Sequence, residues 1–401
     1  MNSGQRLTSL NASQTFNREQ LMFTLPRSDD NQYMARALRL AERGLYTTMP
    51  NPLVGCVLVK ADKVVGEGWH LRAGEGHAEV NALAAAGTGA KGATAYVTLE
   101  PCSHTGKTGP CAQALIDAGI ERVVYGMEDP NPLVAGRGLD LLDAAGIEVS
   151  GALMEESARA LNRGFIHRMQ SGLPRVTSKS AMSLDGRTAM ASGESKWITN
   201  PKARADVQRL RARSCALITG VDTILFDHPQ YTVRAAELGL AAEEAKLAAA
   251  KQPLRVIVDS SLRLPQKSLI LQGGGRILLV HNNADAALCE GWPDRVELLS
   301  LPGKGLHEGR VDLLALLKEL AKRECNEVLL EAGATLSGGF MRRGLVDELV
   351  VYLAATLMGS AARPLFELPL DTMAGKLELK ITDVRAVGDD WKITAVPDKE
   401  A

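Results

Sequence analysis

Apolar positions in the first 170 residues change their spacing in a regular way. Met34, Ala37, Leu38 and Ala41 recur at helical spacing behind Asp29 and Asp30, which can cap a helix that stops at Gly44. The spacing then becomes that of strands over Val54–Val59 and Val64–Trp69. It returns to helix over Ala78–Ala86, ended by Gly87, and to strand over Ala93–Leu99. A loop to Pro110, a helix over Cys111–Ala118 and a strand over Arg122–Tyr125 follow, with further strand and helix units to about Arg168. Alternation of this kind predicts a three-layer α/β domain.

Ser171-Gly172-Leu173-Pro174 reads as a boundary. Beyond it, strands are predicted over Arg175–Ser180, Ala216–Thr219, Arg255–Asp259, Arg276–His281, Glu327–Glu331 and Glu348–Leu353, with helices near 201–213, 311–323 and 335–343. The Ala/Glu/Lys stretch 235–251 reads as a surface helix or a long loop. Residues 1–29 show no sustained periodicity. The expected division is therefore a loosely ordered extension over 1–29, one α/β domain over 30–173 and a second over 174–401.

Composition narrows the function. Lys plus Arg number 46 against 47 Asp plus Glu, a formal charge of −1, which disfavours non-specific nucleic-acid or anionic-membrane binding. The longest apolar stretch, Leu349–Met358, is about half of the roughly 20 residues that cross a bilayer. No export signal is legible in the first thirty residues, so a cytoplasmic location is expected. The cysteines at 56, 102, 111, 215, 289 and 325 are too sparse for a disulfide framework and read as reduced thiols. A clustered pair among them then points to metal or catalysis.

Such a pair follows His77-Ala78-Glu79 in Pro101-Cys102 and Pro110-Cys111. Zinc favours thiolate and imidazole, and a catalytic zinc keeps three protein ligands so that water can take the fourth position. His77, Cys102 and Cys111 supply the three, two of them at helix starts whose dipole favours thiolate. Glu79 can take a proton from a nucleophilic water and pass it to a leaving amine, the chemistry of hydrolytic deamination. A structural zinc with a fourth ligand from His70 or His104, or two unrelated buried cysteines, is the plainer alternative. In the second half there is no Gly-x-Gly-x-x-Gly after a first strand and no phosphate loop. Gly333, Gly338 and Gly339 follow a predicted strand and open a helix, where backbone N–H groups can hold a phosphate.

Longer motifs sharpen this. Met49-Pro50-Asn51-Pro52-Leu53-Val54-Gly55, Gly76-His77-Ala78-Glu79-Val80, Thr98-Leu99-Glu100-Pro101-Cys102-Ser103-His104 and Asp129-Pro130-Asn131-Pro132 resemble the bifunctional riboflavin-biosynthesis deaminase/reductase family. So do Ser178-Lys179-Ser180-Ala181-Met182-Ser183-Leu184-Asp185-Gly186-Arg187, Gly193-Glu194-Ser195-Lys196-Trp197 and Glu331-Ala332-Gly333-Ala334-Thr335-Leu336, and the likeness runs from about Tyr33 to near the C-terminus. The resemblance implies a cytidine-deaminase-like zinc domain followed by a dihydrofolate-reductase-like α/β domain. It implies one zinc per chain, NADPH, and a phosphoribosylated pyrimidine that is first deaminated and then reduced at its ribosyl group, in a homo-oligomer.

By the same resemblance Glu79 is catalytic, Asn51 and Asn131 bind polar edges of the substrate, and Lys107 lies near its phosphate. Cofactor contacts are implied at Ala181, Trp197, Thr223, Asp227, Ser260 and the turn Gly333, Ala334, Thr335, Leu336, Ser337, Gly338 and Gly339. Substrate contacts in that half are implied at Ser195, Arg211, Arg234 and Glu331. Lys179 is a candidate for polarising the sugar or donating a proton, with a structural ion pair as the plainer alternative. Gly109, where the family has a second proline, and His228 and Tyr231 depart from the pattern. The alternatives are a single-function deaminase whose C-terminal half binds a ligand or dimerises, and a zinc-stapled nucleic-acid-binding protein.

Overall fold

The structure, a computed structural model, describes residues 27–103, 109–132, 134–282, 285–305 and 308–398. Lys107, His104 and most of the N-terminal extension lie outside the described residues.

The first unit comprises α1 (Asp30–Glu42), β1 (Gly55–Lys60), β2 (Lys63–Trp69), α2 (Ala78–Ala86), β3 (Thr94–Val97), α3 (Cys111–Asp117), β4 (Arg122–Tyr125), α4 (Arg137–Ala144), β5 (Glu148–Ser150), α5 (Glu155–Leu161) and α6 (Arg163–Ser171). Its sheet runs β2-β1-β3-β4-β5, with β1 antiparallel to both neighbours and β3, β4 and β5 parallel. Cys56, Val57 and Leu58 are all fully buried, because helices cover both faces of β1. Gly55 permits this closeness: a Cβ there would meet the Ala37 carbonyl oxygen at 2.0 Å.

One local expectation changes. Asp29 occupies the cap position of α1 but its side chain makes no capping bond. Asp30 is drawn inward instead, where its carboxylate accepts from both Arg122 amino groups at 2.9 and 2.8 Å and from the Tyr96 hydroxyl at 2.7 Å. A fully paired buried charge outweighs a cap worth about 1 kcal/mol.

The second unit holds β6 (Arg175–Ser183), β7 (Arg187–Ala189), α7 (Pro201–Ala212), β8 (Ala216–Gly220), α8 (Val221–Asp227), α9 (Ala242–Ala250), β9 (Leu254–Val258), β10 (Ile277–His281), β11 (Val296–Ser300), α10 (Leu313–Lys322), β12 (Glu327–Leu330), α11 (Ala334–Met341), β13 (Glu348–Ala354), β14 (Arg363–Pro364), β15 (Leu379–Val387) and β16 (Asp390–Pro397). β7 pairs with β14, and the others form one sheet in the order β11-β10-β9-β8-β12-β6-β13-β16-β15. The first seven are parallel, and the β15–β16 hairpin closes the edge antiparallel. Alternate residues feed two cores: Val176, Ile218, Val256, Leu278 and Leu330 meet Leu316, Leu320 and Phe340, whereas Leu217, Ile257, Leu279 and Leu329 meet Val207 and Leu210. Burial on both faces explains the unbroken apolar runs of these strands.

The 235–251 stretch is a helix, α9, preceded by a short turn at Ala235–Glu237. Strand β11 and the β15–β16 hairpin are elements the periodicity did not announce. In β15 a register shift between Ile381 and Asp383 interrupts the alternation, and the strand is exposed through Ala386. Among the described residues no helix is long and apolar enough to cross a membrane.

Candidate functional site

His77 immediately precedes α2, its backbone still extended at φ −72°, ψ 167°, and Cys111 opens α3 after Pro110. Cys102 lies in the loop after β3, so a strand end and two helix starts converge. His77 Nδ1 is 3.2 Å from Cys111 Sγ and 3.6 Å from Cys102 Sγ, and the Cys111 N–H donates to Cys102 Sγ at 3.3 Å. All three donor atoms lie within 4.8 Å of one another. A tetrahedral zinc with ordinary Zn–S and Zn–N bonds sets its ligand atoms about 3.5–3.8 Å apart, so this donor set fits zinc in both chemistry and spacing.

Glu79, in the first turn of α2, is 3% exposed. Burial, reinforced by Cys102, pushes its carboxyl up to about 7. A hydrogen bond from Cys111, with the imidazole of His77 beside it, draws the Cys102 thiol down to about 4, the thiolate state that a metal ligand needs. His77, Glu79 and Cys102 face a cavity of about 720 Å³, with Cys111 buried behind them, that also takes in Asn51, His70, Glu100, Asp129, Asn131 and, from α6, Phe165, Arg168 and Met169.

Asn51 and Asn131, far apart in sequence, thus meet in one cavity. His70 explains how Asn51 is held. Gly76 O can only accept, so His70 Nδ1 at 3.1 Å carries the proton, and Nε2 accepts from the Asn51 side-chain amide at 3.0 Å. Burial keeps this imidazole neutral, below its ordinary range. His70 therefore serves as an orienting group, both of its ring nitrogens being engaged away from the metal site, whereas His104, the other fourth-ligand candidate, lies outside the described residues. Glu100, passed over in the sequence, organises the opposite wall: its carboxylate accepts from the N–H of Asp129 (3.1 Å), Gly136 (3.0 Å) and Gly138 (2.9 Å). Gly138 packs so closely that a Cβ would lie 1.9 Å from Pro101 O. No sequence signal marks Glu100 beyond its place in the Pro-Cys motif, since its partners lie 29–38 residues away.

A second cavity, of about 780 Å³, opens at the carboxyl ends of β6, β8, β9 and β12, where ligands bind in open parallel sheets. Ala181, Thr223, Ser260, Glu331, Gly333, Ala334, Thr335, Leu336 and Gly339 line it, as do Lys179 and Tyr231. Gly333 N donates to Thr223 Oγ1 at 3.2 Å, joining the α8 and α11 ends. Ser337 and Gly338 are buried behind that wall, Gly338 against Glu367. Ser195 donates to Asp227 at 2.6 Å beyond the lining, Trp197 is 73% exposed with Arg204 stacked 4.7 Å over it, and Arg234 pairs with Glu237. His228 ends α8 at φ +46°. Arg211 is a buried partner of Glu331, bonded twice at 2.6 and 2.9 Å, and Lys179 Nζ lies 3.5 Å from the same carboxylate. Burial pulls Lys179 below the usual ammonium range, against the attraction of Glu331 and with the help of Arg211. Arg263, Arg310, Arg343 and Arg363 also border the cleft, a charge suited to a polyanionic dinucleotide.

Residues 27–127 match the family model of the cytidine and deoxycytidylate deaminase zinc-binding region, and residues 174–393 that of the RibD C-terminal domain. The chain is 51% identical to the riboflavin biosynthesis protein RibD of Escherichia coli (strain K12), over 90% of this chain and 97% of that protein. It is 48% identical to the protein of the same name from Haemophilus influenzae, over 92% and 98%. Among solved structures it is similar to Acinetobacter baumannii RibD, with a TM-score of 0.83 at 46% identity covering 92% of this chain and 99% of that one. A diaminohydroxyphosphoribosylaminopyrimidine deaminase/5-amino-6-(5-phosphoribosylamino)uracil reductase from Thermotoga maritima gives 0.81 at 31%, with the same coverage.

Proposed function

The chain belongs to the RibD family of riboflavin-biosynthesis enzymes, which join a zinc-dependent deaminase to an NADPH-dependent reductase, and we propose that its two cavities act in turn on 2,5-diamino-6-(5-phosphoribosylamino)pyrimidin-4(3H)-one. The observation that carries this reading is the cluster of His77, Cys102 and Cys111 beside Glu79, at a cavity lined by His77, Glu79 and Cys102 that also presents Asn51 and Asn131. The unit boundaries follow as 30–173 for deamination and 174–401 for reduction.

His77, Cys102 and Cys111 would hold the zinc, whose Lewis acidity would make water a nucleophile near neutral pH. Glu79 accepts a proton from that water and returns it to the departing amino group, so that the ring amine and water become a ring carbonyl and ammonia. Asn51, one N–H of its amide given to His70, offers its carbonyl oxygen and remaining N–H to the pyrimidine, and Asn131 holds a second edge. Lys107 is the proposed phosphate contact of this site.

The second cavity would hold NADPH, which would supply the hydride for reducing the ribosyl group to a ribityl chain. Lys179 donates the proton that the ring oxygen needs, and Glu331 and Arg211 fix its position. The walls formed by Ala181, Thr223, Ser260 and the turn from Gly333 hold the cofactor. Ser195, Trp197, Asp227 and Arg234 stand outside that lining and are proposed to close on the ligands once bound. Incubation with zinc, NADPH and the diaminopyrimidinone tests the whole reading by product mass. Exchange of NH for O followed by gain of two hydrogens is expected, and exchange without reduction favours the single-function alternative. Loss of zinc from Cys102→Ser and Cys111→Ser, read by elemental analysis, tests the ligand set.

The enzyme is further proposed to be cytoplasmic and a homo-oligomer. Support for the oligomer comes from β15, an outer strand with Leu379, Ile381 and Val384 exposed and Trp391 beside them, an edge of the kind that seeks a partner. Ile381→Glu is expected to lower the mass seen by light scattering.

A further inference from the structure

Asn326 belongs to the reductase domain, between α10 and β12, yet its side chain is spent entirely on the deaminase domain. It is 2% exposed. Its side-chain NH₂ donates to Pro50 O at 2.7 Å, and its carbonyl oxygen accepts from Arg168 Nε at 2.6 Å. The backbone anchors it on its own side: its N–H donates to Cys215 Sγ at 3.3 Å, and its carbonyl accepts from Arg175 N–H at 2.9 Å, where β6 begins. A side-chain amide carries its donor and its acceptor on separate atoms and so can reach two partners at once, and both capacities are used here.

Both partners line the deaminase cavity. Pro50 precedes Asn51, Arg168 lies on the α6 wall with Phe165 and Met169, and Glu324, two residues before Asn326, reaches the same cavity. Further grips on the Asn51 turn come from the reductase side: Lys251 Nζ donates to Met49 O, and Cys215 Sγ touches Met49 Sδ at 3.1 Å. The turn is thus suspended between His70, inside its own domain, and residues of the other domain.

We propose that Asn326 is a positioning residue for deamination, holding the Asn51 turn and the α6 wall of the deaminase cavity in register from the neighbouring domain. The inference rests on the reading that Asn51 binds the pyrimidine. It makes the dependence one-sided: the deaminase needs the reductase domain in place, whereas none of the described residues of 30–173 lines the reductase cavity.

The test uses the full-length zinc enzyme. In Asn326→Ala, and in Asn326→Asp, which keeps the shape and the acceptor for Arg168 but loses the donor to Pro50, deamination KM for the diaminopyrimidinone rises about tenfold and kcat stays within about threefold. Zinc content and the reduction kinetics on pre-deaminated substrate stay at the parent values. Asn326→Asp carries the test if the alanine variant does not fold. An unmoved deamination KM overturns the proposal, as does a parallel fall in both activities, which would mark a merely structural role. Asn51→Ala runs alongside. If its KM is that of the parent, the assignment of Asn51 fails and takes this inference with it. A raised KM there beside an unmoved KM for the Asn326 variants overturns the inference alone.

Discussion

Glu79 concentrates the deaminase chemistry in one almost fully buried carboxylate that, in the proposed ligand set, does not hold the metal. Glu79→Gln keeps the shape and removes the base. Zinc content should be unchanged, deamination should fall about a hundred- to ten-thousand-fold, and NADPH oxidation on pre-deaminated substrate should stay within about twofold. Near-normal deamination would refute the role, and loss of zinc would show that the ligand set is wrong. Lys179 is the corresponding residue of the other cavity. Buried beside Glu331 and Arg211 and drawn below the ordinary ammonium range by that burial, it loses a proton more readily than a surface lysine. Lys179→Met keeps the packing without the proton, so a parent reduction rate in that variant would remove its assignment as the acid.

At the scale of elements, the deaminase cavity depends on α4 approaching the loop that carries Cys102. Gly138, in the first turn of α4, has no room for a Cβ against Pro101 O, and its N–H is one of three that Glu100 collects. Gly138→Ala must therefore displace either α4 or the Cys102 loop, at about 1–3 kcal/mol by analogy with other overpacked sites. The expected result is a lower melting temperature with a deamination KM raised more than the reductase KM; equal changes in both would place the damage in global stability. In the second unit α7 is tied to β13 and β16 through Asp206, which accepts from Lys392 at 2.7 Å and from Tyr352 at 2.5 Å. Burial alone would raise this carboxyl, but Lys392 and Tyr352 outweigh it and hold it to about 2, against an ordinary 3.8. A depressed folded-state value means that the stabilisation is complete above the ordinary value and disappears as pH falls through the folded one. It amounts to about 2–3 kcal/mol. Urea midpoints of the parent should drop between pH 4 and about 2, and Asp206→Asn should start lower at pH 7 and lose that part of the slope.

For the whole molecule, the fully buried core residues keep to their own sides of residue 173, with the partly buried Tyr46 packing across onto the small cluster around α9. The deaminase core runs from Met34 to Ile166, and the two faces of the large sheet draw their buried residues from Val176 onward. A fragment beginning near Gly172 should therefore fold and oxidise NADPH when given deaminated substrate; an unfolded fragment, seen by circular dichroism, would overturn that independence. Much of this was legible in the chain itself. Periodicity located α1, α2, α3, β1 and β2 to within a few residues, because their burial is set by neighbours close in sequence, and the His-x-Glu and two Pro-Cys pairs announced zinc because metal chemistry restricts the ligand types. Resemblance of longer motifs then named the reaction. What spacing could not reveal depends on contacts between distant segments: Asp30 turning from a cap to Arg122, His70 fixing the Asn51 amide, Glu100 gathering three N–H groups, and the β15–β16 hairpin, whose register shift breaks its own pattern. Each is a polar or irregular feature whose energy depends on a partner supplied by the fold, and only the tertiary structure brings that partner within reach.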